Sequence, residues 1–211
     1  MKSKAIILVT LLLLSLQSIY PQSKLNISIG GAYLATSHPS EKLQYWNNGY
    51  SINLNLEYFL NDNFALSVGT SYQIFLYDEN LLQLITPDVL GYRMQVDGQN
   101  TEAYELSLKA KYYLPQLSFV HSFLSVGTGF LLINQGNIIL TSWMDGNEVA
   151  KGLISLSGSS NNYLLGQFSI GTGIEIQLIK SINLIVEGNY LSSFNYAFTY
   201  FPITTSIEFG L

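Results

Sequence analysis

The sequence predicts an all-β fold, an eight-stranded antiparallel up-and-down transmembrane β-barrel, and three observations carry that prediction. The first is residues 50–75, two long runs joined by Asn61-Asp62-Asn63. Tyr50, Ile52, Leu54, Leu56, Tyr58 and Leu60 alternate with Ser51, Asn53, Asn55, Glu57 and Phe59. Phe64, Leu66, Val68, Thr70, Tyr72 and Ile74 alternate with Ala65, Ser67, Gly69, Ser71, Gln73 and Phe75. Period two over ten or more residues is a strand pattern, and the intervening residues are turn formers. The second is aromatic spacing on the apolar face: Tyr50 with Tyr58, Phe64 with Tyr72 and Tyr104 with Tyr112 each lie eight residues apart. Eight residues of tilted strand cover roughly 20 Å, about the height of a hydrocarbon band between two aromatic girdles. The third is that 48% of the residues are apolar, yet after residue 16 no apolar run approaches a spanning helix.

In chain order, residues 1–22 read as a signal peptide. Lys2 and Lys4 precede the apolar stretch Ala5 to Leu16, which is too short to span a bilayer, and cleavage is expected between Tyr20 and Lys24. The remainder, 23–211, is expected to form one barrel domain. The first strand is Leu25 to Tyr33, with Leu25, Ile27, Ile29 and Tyr33 outward, and the hairpin at 50–75 supplies the next two. A long connection follows to about residue 100. In it DENLLQLITPDVL has the makings of a helical turn ended by Pro87, and YRMQV, DGQN and TEAYEL read as a hairpin above the membrane, because Asp-Gly is a strong hairpin signal. Strand four is Tyr104 to Leu114 and strand five Val120 to Leu132, joined at Pro115 to Ser118. The loop from Asn134 to Asn162 contains a second extra-membrane hairpin, NIILTSW, MDGN and EVAKGLISL. Strands six and seven, Leu164 to Leu178 and Ile182 to Leu191, turn at 179–181. After SSFNYAFTYFP the eighth alternates Ile203, Thr205, Ile207, Phe209 and Leu211 with Thr204, Ser206, Glu208 and Gly210. Short turns and long loops alternate, so both termini lie beside the short turns, which outer-membrane barrels place in the periplasm. Lipid cannot satisfy exposed backbone groups, so such a sheet closes on itself.

The strands SVGTGF and SIGTGIEI and the final SIEFGL, behind a signal peptide, resemble the small OmpA-like or PorT-like outer-membrane barrel family across nearly all of residues 23–211. That resemblance implies the outer membrane of a Gram-negative bacterium and, for PorT-like relatives, an association with secretion machinery. A soluble lipocalin-like carrier would need its apolar face inside, against the Ser/Asn/Gly/Glu face seen here.

Composition narrows the chemistry. With no Cys there are no disulfides, thiolate metal sites or Cys nucleophiles. Nine Lys+Arg, scattered through a chain of net charge −5, give no footprint for nucleic acid. No cofactor or metal site is expected. The informative residues are the lumen charges Glu57, Glu105, Lys109, Lys111, Glu175, Glu187 and Glu208, all of inward parity. Isolated buried charge is costly, so Lys109 and Lys111 are expected to pair with several of the carboxylates. The cluster then serves as a structural plug or, in the sharper reading, a gated ion or proton path, with the excess acid answered by lumen water or a protonated carboxyl. Tyr50, Tyr58, Phe64, Tyr72, Tyr104 and Tyr112 form the expected aromatic girdle. Gly69, Gly127, Gly129, Gly171 and Gly173 point inward and leave room for Phe59, Phe75, Tyr113 and Phe123; lying inside strands, they are not phosphate loops. His121, also inward, reads as a structural histidine. His38, Ser40 and Glu41 faintly resemble the His-x-Ser of lipid A deacylase barrels, but Pro39 splits the pair within a loop. Trp46, Trp143, Tyr196, Phe198, Tyr200 and Phe201 are expected in or near the loops, as interfacial anchors or a binding surface. The expected function is non-enzymatic: a monomeric envelope protein, bound to outer-membrane lipid, with a structural or interaction role through extracellular loops that meet a protein partner, or as accessory to a larger assembly. A narrow channel and a lipid-modifying enzyme are the alternatives.

Overall fold

The computed structural model describes residues 25–36, 45–78, 92–115, 120–145, 147–154, 162–179, 181–196 and 198–211. The expected signal peptide, the helical turn at 79–90 and His38, Ser40 and Glu41 lie outside these residues.

Eight strands close into an antiparallel barrel: β1 (Leu25–Thr36), β2 (Trp46–Phe59), β3 (Phe64–Tyr77), β5 (Thr101–Tyr113), β6 (Val120–Asn134), β9 (Asn162–Ile179), β10 (Ile182–Ser193) and β11 (Thr199–Gly210). Closure is by β1 against β11, in register from Asn26↔Gly210 to Thr36↔Tyr200. No barrel edge is left to meet lipid, which removes the backbone cost that an open sheet would carry. Three further strands, β4 (Tyr92–Gly98), β7 (Ile138–Met144) and β8 (Asn147–Ile154), form a separate sheet in the order β4-β7-β8.

One end of the barrel carries the tight turns and both termini of the sheet. There Asn61 Oδ1 accepts from the backbone N–H of Asn63 at 2.9 Å and of Phe64 at 3.0 Å. This Asx-type turn explains why Asn-Asp-Asn reverses the chain so sharply. The opposite end carries the loops and the small sheet.

The outer face is apolar. Ile52, Leu54, Leu56, Val68, Leu106, Leu108, Val126 and Ile170 are all exposed. Of the girdle residues, Tyr50, Tyr58, Phe64, Tyr104 and Tyr112 are exposed and Tyr72 is half-buried. They pair across strands, Phe64 with Tyr112 at 4.9 Å and Tyr72 with Tyr104 at 5.1 Å between ring centroids. An exposed band of this kind around a closed sheet is stable only in hydrocarbon.

Two expectations are corrected. The Asp97-Gly98 signal does not close a hairpin between residues 92–96 and 101–106. Thr101 to Leu106 belong to β5 and pair with β3 and β6, so β4 finds its partner in β7, from Tyr92↔Met144 to Gly98↔Ile138. The barrel strands also run past the membrane band at the loop end, where β1 reaches Thr36 and β11 begins at Thr199. The reason is a second core, described next. The β7–β8 hairpin forms as expected, with Asp145 at φ 49 in its turn, a conformation that Asp tolerates.

Candidate functional site in the barrel lumen

The lumen is filled in two distinct layers. At the turn end the β-strand period brings charged side chains from five strands together: Glu57 of β2, Lys109 and Lys111 of β5, Glu175 of β9, Glu187 of β10 and Glu208 of β11. Lys111 forms an ion pair with Glu57, and Glu57 Oε1 also accepts from the Tyr113 hydroxyl at 2.6 Å. The Lys111 ammonium lies 4.8 Å from the Phe123 ring centroid, a cation–π contact. Lys111 is 5% and Glu57 2% exposed, so each charge depends on the other. One level up, Lys109 Nζ meets Glu187 Oε1 at 3.4 Å, and Ser125 Oγ donates to the same oxygen at 2.9 Å.

The remaining carboxylates are held by neutral donors. Glu208 Oε1 accepts from Asn26 Nδ2 at 2.8 Å and Asn183 Nδ2 at 3.1 Å, while Glu175 Oε1 accepts from Asn183 Nδ2 at 2.6 Å. Glu105 sits above the others. Gln167 Nε2 donates to its Oε1 at 2.7 Å, and Ser71 Oγ at 2.9 Å and Gln73 Nε2 at 2.7 Å donate to its Oε2. All seven predicted charges thus point into the lumen, but each lysine has one carboxylate partner within ion-pair distance, not several. Side-chain amides do much of the work assigned to the lysines. Sequence reading missed Asn26, Gln73, Gln167 and Asn183, since an amide on a polar face is unexceptional until its register neighbour is known.

Inward glycines make these approaches possible. A Cβ on Gly173 would lie 2.4 Å from Phe123 Cζ, and one on Gly171 would lie 2.1 Å from Asn189 Oδ1. Room is therefore made for polar side chains as well as for rings.

At the loop end the lumen is apolar, which the alternation did not predict. Leu34, Trp46, Phe75, Leu131, Ile133, Phe198 and Tyr200 are buried together in one core. Phe75 makes edge contacts with Phe198 at 5.2 Å and Tyr200 at 5.4 Å. Phe198 is folded inward by the β10–β11 loop, whose Ser193 Oγ accepts from the Phe198 N–H at 3.1 Å and whose Tyr196 takes φ 57. Three of the six aromatics expected at the membrane interface or on a binding surface are in fact plug residues: Trp46 and Tyr200 because β2 and β11 extend inward-facing positions beyond the bilayer, and Phe198 because the β10–β11 loop turns it inward. Tyr196 and Phe201 remain exposed and Trp143 is half-buried. A signal existed: in Phe130-Leu131-Leu132-Ile133 the period-two pattern lapses, so both faces of β6 are apolar there.

The two layers are joined. Gln73 Nε2 donates both to Glu105 and, at 3.0 Å, to the Tyr200 hydroxyl. The small sheet is seated on the apolar plug through buried Ile138 and half-buried Val96, and Trp46 Nε1 donates to the Gln99 carbonyl at 2.9 Å. Between the plugs lies a polar cavity of about 50 Å³, lined by Asn53, Asn55, Ser71, Glu105, Lys109 and Glu187 among others. It has room for one or two waters. Among the described residues no group of three or more His, Cys, Asp or Glu converges for a metal ion.

No protein-family model matches the chain, and no curated protein matches it. Solved structures do. The crystal structure of neisserial surface protein A, NspA, is similar over 90% of this chain and 98% of its own, with a TM-score of 0.52 at 12% identity. Ail, the attachment invasion locus protein of Yersinia pestis, aligns over 89% of this chain and 99% of its own, with a TM-score of 0.46 at 12% identity. The outer membrane enzyme PagL aligns over 88% of this chain and 99% of its own, with a TM-score of 0.43 at 12% identity. At such identities the likeness concerns the fold and not the activity. The chain is an eight-stranded antiparallel transmembrane β-barrel of the outer-membrane type.

Proposed function

We propose that this protein is a non-enzymatic, monomeric barrel of the outer membrane of a Gram-negative bacterium, acting through the face opposite its tight turns. With the turns toward the periplasm, that face is extracellular. The observation that carries this reading is the seating of the β4-β7-β8 sheet on the buried apolar plug. A rigid barrel that spends its loop-end lumen on fixing a projecting sheet is suited to presenting a surface, and a side-chain-filled lumen is suited to a structural role rather than to transport. The SVGTGF, SIGTGIEI and SIEFGL strands support placing it with OmpA-like or PorT-like barrels, and for the latter a role as accessory to a larger assembly such as secretion machinery.

The test is a pull-down from native membranes with the intact chain and with a variant in which 138–154 is replaced by a short Gly-Ser turn. A specific partner retained only by the intact chain is the expected result, and equal capture by both would refute the reading. A second reading, a narrow channel, draws on the polar cavity between the plugs. Planar-bilayer recording separates the two, because stable unitary conductance excludes a merely structural plug. Turnover of lipid A by the purified protein, lost in His38→Ala, would overturn the non-enzymatic assignment.

A further inference from the structure

Among the outward-facing positions of the described barrel strands, one carries a charge: Glu102 of β5, on the face that bears Tyr104, Leu106 and Leu108. The register sets Asn134 of β6 directly opposite it and Asn162 of β9 beyond, so a polar row caps the apolar wall. The outward row next below is Tyr72, Tyr104, Leu132 and Leu164, the upper edge of the hydrocarbon band. A carboxylate just above that edge stands at the headgroup level of the outer leaflet. Barrel closure does not call for it, since the seven lumen charges occupy the other face.

Glu102 and Asn134 line a cavity of about 350 Å³ together with Gln99, Asn100 and Asn137, at the elbow where β4 and β7 depart from β5 and β6. That volume falls within the roughly 300–1,000 Å³ of small-molecule sites. The elbow is fixed by its own backbone. The Gln99 N–H donates to the Asn137 carbonyl at 2.9 Å, the Gly136 N–H to Thr101 Oγ1 at 3.0 Å, and the Tyr77 N–H to Asn100 Oδ1 at 3.1 Å. Position 136 has to be glycine, because a Cβ there would lie 2.1 Å from the Gln99 carbonyl oxygen. The side chains are left to act outward. Gln99, Asn100 and Asn134 are exposed, and among the described residues no hydrogen bond occupies the Asn134 carboxamide, Asn100 Nδ2 or Gln99 Nε2. No Lys, Arg or His lines the cavity, so an anion finds no counter-charge there. One carboxylate is also a poor cage for a divalent cation, and no set of three acidic or His groups converges among the described residues. Carboxamides donate and accept, whereas a carboxylate accepts alone. The ligand that matches them carries donors and acceptors on neighbouring atoms, as adjacent hydroxyl groups do.

We propose that this cavity binds a neutral pyranose sugar, adjacent hydroxyls of which donate to the Glu102 carboxylate and accept from the amides of Gln99, Asn100 and Asn134. The fixed elbow leaves little to be ordered on binding. The headgroup of an outer-leaflet glycolipid and a free glycan present the same hydroxyls. The site lies on the barrel rim and stands independently of a protein partner on the β4-β7-β8 sheet.

The experiment uses the isotopically labelled full chain in phosphatidylcholine nanodiscs, read by the side-chain amide resonances of Asn100 and Asn134. One arm titrates the methyl glycosides of glucose, galactose, mannose and N-acetylglucosamine. The other incorporates monoglucosyl or monogalactosyl diacylglycerol in the nanodisc membrane. The expected result is saturable movement of both resonances with at least one probe, its dissociation constant raised about tenfold by Glu102→Ala and several-fold by Glu102→Gln. Asn147→Ala, at the start of β8, leaves it unchanged. Binding of a methyl glycoside, with or without the glycolipids, assigns a free glycan, and binding of a glycolipid alone assigns a headgroup. Glu102→Gln is nearly isosteric and lies on the outer wall, so at least one variant retains the fold. Absence of saturable movement with every probe, unchanged affinity in the folded variants, or binding abolished by EDTA, which would make the cavity a cation site, would overturn the proposal.

Discussion

Replacing Lys111 by Met isolates what the turn-end ion pair contributes. Met keeps most of the aliphatic stem and removes the ammonium, leaving Glu57 at 2% exposure with the Tyr113 hydroxyl still donating to it at 2.6 Å. Removing one member of a buried pair costs about 3–5 kcal/mol, because the other charge is left uncompensated. The lost cation–π contact with Phe123, at 4.8 Å, is worth about 0.5–2 kcal/mol. A methionine sulfur against the same ring returns about 0.3–1.5 kcal/mol, so these two nearly cancel. The Tyr113 bond survives in the variant and does not alter the difference. The net expectation is a loss of about 3–5 kcal/mol, and Glu57→Gln added to Lys111→Met should recover much of it by removing the stranded charge. Urea unfolding from phosphatidylcholine vesicles, followed by tryptophan fluorescence, reads both quantities, and the double-mutant cycle gives the coupling directly. A single-variant loss below about 1 kcal/mol, or a double variant as unstable as the sum of the two singles, would refute the claim that these charges hold each other in place.

Three further outcomes are expected from the same reconstituted protein. Leu108→Arg, at a lipid-facing position 51% exposed, should cost about 2–4 kcal/mol if it lies near the bilayer midplane, measured by the same unfolding assay. Gly173→Ala should cost about 1–3 kcal/mol through overpacking, since its Cβ would meet Phe123 Cζ at 2.4 Å, and Phe123→Leu in the same chain should relieve part of it. Trp46→Ala removes the largest fully buried side chain of the loop-end plug and should cost about 3–5 kcal/mol. Proteolysis should then cut the β4-β7-β8 sheet faster, because Trp46 Nε1 no longer anchors the Gln99 carbonyl.

The alternation at 50–75 was readable because each side of a barrel strand meets a different medium, and the period of two is then imposed at every residue. That same logic gave the parity of all seven lumen charges. It could not give their partners. Whether Glu175 faces His121 or Lys111 depends on the β6–β9 register, which depends in turn on closure of the whole sheet. Turn chemistry has a comparable limit. Asp97-Gly98 states that the chain changes direction, but the residues after it were already claimed by β3 and β6, and β4 joined β7 some forty residues on. The apolar plug escaped notice for a different reason: above the bilayer the inner face no longer needs to contrast with the outer, so Leu131 and Ile133 lost the pattern that identified their neighbours.

That division of the lumen into a polar lower layer and an apolar upper one follows from what a membrane barrel must do before it folds. A chain that reaches its membrane through water, with strands apolar on both faces, would expose long stretches of high β-propensity to other chains and aggregate. Keeping the inner face of the bilayer-crossing segments rich in Ser, Asn, Gly and Glu reduces that hazard, at the cost of a lumen closed there largely by hydrogen bonds and ion pairs. A smaller cluster of Phe59, Ala65, Tyr113, Phe123 and Ile185 packs beside the turn-end ion pairs, while the larger share of close packing by hydrophobic side chains then falls at the loop end, around Leu34, Trp46, Phe75, Leu131, Ile133 and Tyr200. The small sheet has no membrane to support it, and Ile138, Val96 and Trp46 supply its anchorage there. On this argument, polar substitution of Leu131 should loosen the projecting sheet while leaving the turn-end ion pairs intact, which amide hydrogen exchange can resolve strand by strand. Equal loss of protection at both ends would mean that the lumen unfolds as one unit and that the two layers have no separate roles.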